Sequence, residues 1–99
     1  MKQEYKIGKL IAVMTNGFTE EYKVCRIDSV DSGRYGFVSY QDKAHGLGSV
    51  YVDFYDGVVV PKSNYKRGQE LTKQEFWALL DERPGHIPPG ELANYGARK

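Results

Sequence analysis

Ser49-Val50-Tyr51-Val52-Asp53-Phe54-Tyr55, followed by Asp56-Gly57 and Val58-Val59-Val60, is the stretch on which the fold turns. Val50, Val52 and Phe54 share one parity and Tyr51, Asp53 and Tyr55 the other, so residues of about 49–55 form a strand with two chemically different faces. Asp56-Gly57 tolerates positive φ at both positions and predicts a tight type I′ hairpin into a further strand at 58–60. Pro61, which has no N–H to donate, ends that ladder.

Outward from this stretch the pattern stays short and strand-like. Asp31-Ser32-Gly33 is a turn, after which Arg34 to Gln41 reads as a strand over 34–41. Residues 42–48 hold a charged pair, His45 and two glycines around Leu47, which predicts a mobile surface loop and a candidate binding edge. Nearer the N-terminus, Ile7, Ile11 and Val13 alternate with Leu10, Ala12 and Met14, so a strand of about 5–14 is covered on both faces. Asn16-Gly17 turns the chain, and a second strand follows at about 21–30.

The period changes in the C-terminal third. Thr72-Lys73-Gln74-Glu75 is a capping box, flanked by the staple pair Leu71 and Phe76, and Phe76, Leu79 and Leu80 lie on one helical stripe beside Trp77. These residues predict a helix of about 73–82 that docks on the sheet. Pro84-Gly85 stops it, leaving a tail over 84–99. Residues 1–99 thus read as a single, mainly β domain: a small five-stranded antiparallel barrel, OB-like or SH3-like, or a strongly bent sheet, with one C-terminal helix. An open sheet with the helix across one face has the same periodicity.

Composition narrows the function. The 14 Lys and Arg nearly balance 13 Asp and Glu, giving a formal charge of +1 and no general field for a polyanion. One cysteine, Cys25, cannot form an intramolecular disulfide, and no stretch has the length and apolarity of a signal or a membrane span, so a cytoplasmic protein is expected. The chain has two histidines, His45 and His86, and neither joins Cys25 in a metal-ligand spacing. No metal site, cofactor site or catalytic residue is predicted, and the protein is read as non-enzymatic. The carboxylate pairs Asp28 with Asp31 and Asp53 with Asp56 are read as solvated turn residues, and Cys25 as a small buried hydrophobe.

Gly33-Arg34-Tyr35-Gly36-Phe37-Val38-Ser39-Tyr40 with Val50-Tyr51-Val52-Asp53-Phe54 resembles the two aromatic motifs of cold-shock domains, and the first more loosely resembles a motif of RRM domains. The resemblance covers residues 33–54 and departs from the family where Gly33 precedes Arg34 and where Asp53 replaces a histidine. It implies a five-stranded OB barrel that binds single-stranded RNA or DNA, with Tyr35, Phe37 and Tyr51 stacking on bases, Arg34 near the phosphates and Gly36 leaving room for a base.

Read from the residues alone, the aromatics also suit another protein. Tyr and Trp offer rigid apolar area with a polar handle, so Tyr35, Tyr51, Tyr55 and Trp77 are the expected anchors of a non-enzymatic protein-binding or regulatory module. The alternative is single-stranded nucleic-acid binding through Arg34, Tyr35, Phe37 and Tyr51, helped by the basic-aromatic cluster Lys62, Tyr65, Lys66 and Arg67. No membrane partner is expected.

Overall fold

Leu10–Asn16 (β1) and Glu21–Ile27 (β2) form the central antiparallel hairpin of the computed structural model, which describes residues 5–61 and 64–81. Tyr35–Asp42 (β3) pairs with β2 through Arg26 and Ile27, and Gly46–Asp53 (β4) pairs with β3 along its whole length. A 3-10 turn, Phe54–Asp56, leads to the short Val58–Val59 (β5), which returns to β1. Glu70–Leu71 (β6) pairs with β2 at Tyr22 and Lys23, and Lys73–Asp81 (α1) closes the described chain. The expected tail and residue 82 lie outside the described residues.

The mainly β sheet with one C-terminal helix is present, but it is neither closed into a barrel nor strongly curled. Its order is β4-β3-β2-β1-β5, and its two ends, β4 and β5, do not pair among the described residues. The OB-like or SH3-like barrel, including the OB barrel that the cold-shock resemblance implies, is therefore not formed. Closure needs a long strand after the turn, whereas β5 has two residues and Pro61 follows closely.

The sheet buries both faces of the central hairpin separately. Register puts Ala12, Val24 and Tyr22 on one face, where they meet Val58, Val60, Leu71 and the helix residues Phe76, Trp77, Leu79 and Leu80. Ile11, Val13, Cys25 and Ile27 occupy the other, packed with Val38 and Phe54. Alternation of small and branched apolar residues on both parities of β1 is what a doubly covered strand requires.

The junction after β4 departs most from expectation. No Asp56-Gly57 hairpin forms: Asp53 caps the 3-10 turn by accepting a hydrogen bond from the Tyr55 N–H at 3.0 Å, Gly57 is extended, and β5 pairs with β1 instead of β4. The turn buries the Phe54 ring completely. Gly57 is needed for proximity, since a Cβ there would lie 2.6 Å from both the Ala12 carbonyl oxygen and Val13 Cγ1.

Other boundaries differ for local reasons. The first strand begins at Leu10, and the second ends at Ile27, where Ser29 turns its Oγ to accept from the Phe37 N–H at 3.0 Å. The loop expected over 42–48 shrinks to Lys43-Ala44-His45, because Gly46 adopts φ +81° and Asp42 accepts a hydrogen bond from the Ala44 N–H at 2.9 Å. At α1 the capping box is complete: the Glu75 N–H donates to Thr72 Oγ1 at 3.1 Å, and the Thr72 N–H to Glu75 Oε1 at 3.0 Å.

Gly36 provides a sharp test of the packing around Phe54. A Cβ there would fall 1.9 Å from the Ser29 carbonyl oxygen and 2.8 Å from Phe54 Cζ. Gly36→Ala is expected to cost about 3 kcal/mol, read as a lower urea midpoint. Thr72→Ala, which removes one partner of the cap, should cost about 1 kcal/mol in the same assay.

Candidate interaction surface

The β3-β4 hairpin presents its odd-numbered side chains on the register face that α1 covers elsewhere. The helix packs against β2 and β6, and among the described residues the part of that face around Tyr35, Phe37 and Tyr51 stays uncovered. Tyr35, Phe37 and Tyr51 there are 38%, 47% and 48% exposed. Phe37 and Tyr51 face each other across the strands with ring centroids 5.0 Å apart and edge-on, while Tyr35 lies parallel to Tyr51 at 6.3 Å. Such pairs hold rings in place without burying them, which suits a contact surface.

Arg34 anchors one end of this patch. Its guanidinium grips Asp53 through contacts of 2.9, 3.0 and 2.8 Å, and lies 5.5 Å from the Tyr35 ring and 4.4 Å from the Tyr55 ring. Tyr55 is half-buried and leads to Tyr5, 6.4 Å away, which stacks on Phe54 at 4.9 Å. A ladder of rings interrupted by one guanidinium thus runs from the exposed patch to the core. Burial, with the Tyr55 and Asp53 charges, pushes the Tyr5 phenol far above its ordinary range. At the exposed end, desolvation and the neighbouring Asp31 carboxylate raise that of Tyr51.

The remaining expected site residues fall elsewhere. Trp77 is only 6% exposed and belongs to the helix-side core, so it is no surface anchor; the same apolar stripe that docks the helix takes it inward. Tyr65 also packs against that core. Lys66 is exposed in a turn closed by Gln69, and the Arg67 charge acts on Cys25 and Asp28. Lys62 lies outside the described residues. Gly36 is on the face opposite Tyr35 and Phe37, so its missing side chain admits Ser29 and Phe54 and makes no space for a base.

Pattern reading missed the Arg34–Asp53 pair, whose signal was two opposite charges set diagonally across the β3-β4 register. It also missed Phe18, fully exposed at the tip of the β1-β2 hairpin, where Asn16 Oδ1 accepts from the Phe18 N–H at 2.9 Å.

Among the described residues, no group of three or more His, Cys, Asp or Glu side chains is placed to hold a metal ion, and no helix is long and apolar enough to cross a membrane. Burial lifts the Cys25 thiol to about 12, far from a nucleophile's range. Compared with protein-family models, curated proteins and solved structures, the chain matches none.

One carboxyl beside the ladder does titrate usefully. Burial lifts Asp56 to about 6, with the Asp53 carboxylate adding to the rise and Arg34 opposing it. Its Oδ1 is buried without a hydrogen-bond partner. An acid whose folded value is raised contributes stability below its unfolded value of about 4, and that stability is lost as pH climbs through 6. Comparing Asp56→Asn with the native chain by urea unfolding from pH 3 to pH 7, the difference should move toward the variant by about 1 kcal/mol, the full shift being discounted for solvent screening.

Proposed function

We propose that the protein is a non-enzymatic protein-interaction module whose binding face is the Tyr35, Phe37 and Tyr51 patch. The observation that carries the reading is that three large rings stay about two-fifths to one-half exposed although a helix is available on the same sheet face. Leaving such rings in water forgoes burial energy of about 25 cal/mol per Å². A partner that covers them recovers it, and their ordered ring contacts lower the entropy cost of docking.

Charge favours a protein over a polyanion. Asp31 and Asp53 lie beside the rings, and the cation at the patch, Arg34, is already engaged by Asp53. Residues 1–60 carry seven Lys and Arg against eight Asp and Glu, so the surrounding field does not draw phosphate. A cytoplasmic setting belongs to the same proposal, as a reducing compartment suits a lone buried thiol.

Tyr51→Ala and Phe37→Ala are the direct test, since both side chains are on the open face and their removal leaves the core intact. With immobilised native protein and the double variant as parallel baits, quantitative mass spectrometry should find a reproducible partner whose capture falls at least tenfold with the variant. Equal capture by a variant with native circular dichroism overturns the proposal, as does Tyr fluorescence quenched by mixed-sequence oligonucleotides in place of any protein partner.

A further inference from the structure

The two edges of the sheet are protected very differently. β5 is two residues long and is followed by Pro61 after one further residue, both recognised ways of discouraging a neighbour. β4 is eight residues long, and from Gly46 to Val52 it contains no charged residue and no proline. An edge of this kind is a template for another strand unless something blocks it.

The hydrogen-bond phase identifies which groups that edge offers. The Phe54 N–H donates to the Arg34 carbonyl, so with Tyr35 opposite Asp53 the bonded pairs of the ladder are 36 with 52, 38 with 50, 40 with 48 and 42 with 46. The other side of β3 agrees: the Tyr35 carbonyl accepts from Asp31, and the Phe37 carbonyl from Asp28 and Ser29, all away from β4. The N–H and C=O groups of Leu47, Ser49 and Tyr51 therefore point out of the sheet.

From this edge we infer that the protein self-associates as a two-fold dimer, with β4 pairing antiparallel to β4 of a second copy about Ser49. This deepens the protein-interaction reading above and rests on it. Centring the axis on Ser49 places each Tyr51 opposite the partner's Leu47, and both side chains stand on the open face, Leu47 60% exposed and Tyr51 48%. Ser49, small and polar, meets its own symmetry mate. The outward backbone groups of all three residues are satisfied together in this register. Each Phe37-Tyr51 pair then continues onto the partner's Leu47, joining two separate aromatic patches into one layer across the axis. A second copy is the occupant because this register is self-complementary in both backbone phase and apolar side chains.

Sedimentation equilibrium of the full chain tests the inference. The native protein should reach twice the 11.3 kDa chain mass in a concentration-dependent way. Ser49→Pro removes an outward N–H that the β3-β4 ladder does not use and should give a monomer with native circular dichroism. If proline disturbs the fold, Leu47→Lys sets charge against the partner's Tyr51 and should also give a monomer, while Ser49→Ala should remain dimeric. Amide exchange should slow at 47, 49 and 51 as concentration rises. A native chain that stays monomeric at its solubility limit, or a dimer unaffected by Ser49→Pro and Leu47→Lys, overturns the inference. Failure here with partner capture still dependent on Tyr51 leaves the interaction module standing, so the two results are separable.

Discussion

Burial of the Phe54 ring is the interaction on which the rest of the structure depends. The ring sits where β4 gives way to a 3-10 turn, against the layer of Ile11, Val13, Cys25, Ile27 and Val38. Its position is one reason why Gly36 lacks a side chain, since a Cβ there would fall against the Ser29 carbonyl and the Phe54 ring. It also explains the direction of the chain afterwards. Once Phe54 is turned inward, the segment cannot double back along β4 and instead reaches β1. Asp53 serves both sides of this junction, capping the turn and receiving Arg34.

The same geometry divides the aromatic residues into two populations. Rings attached to the helix or to the turn contribute to the two core layers, whereas those on odd positions of β3 and β4 lie beyond the reach of a nine-residue helix. Their exposure follows from the short helix and from where it docks, against β2 and β6. The Arg34 guanidinium links the two populations, with Tyr35 on one side and Tyr55 on the other. A cation held over aromatic rings while paired with a carboxylate is fixed in direction, so the rings next to it share that rigidity.

Much of the local structure was legible from residue pattern. Alternation in Val50 to Phe54 gave the two faces of β4, and the Thr72 to Glu75 capping box located the helix start, because both depend on neighbours in sequence. Sheet closure was not legible, since it depends on whether β5 extends far enough to meet β4, and three consecutive valines are compatible with either outcome. The Asp56-Gly57 pair was misleading for a related reason. Its turn propensity is genuine but weak beside the gain from burying Phe54, and glycine at 57 answers to steric proximity with β1. For the surface, the strand parity correctly grouped Tyr35, Phe37 and Tyr51, yet Trp77 went to the core because its stripe is continuous with Phe76 and Leu80.

Cys25 has a practical meaning beyond packing. Its sulfur lies under the inner layer, fully shielded, on a strand that has neighbours on both sides. A soluble alkylating reagent can meet it only when the sheet parts, and burial keeps the thiol protonated until that moment. The molecule therefore carries a built-in clock: the rate at which a reagent labels this single thiol counts the openings of its own interior, with no cysteine engineered in.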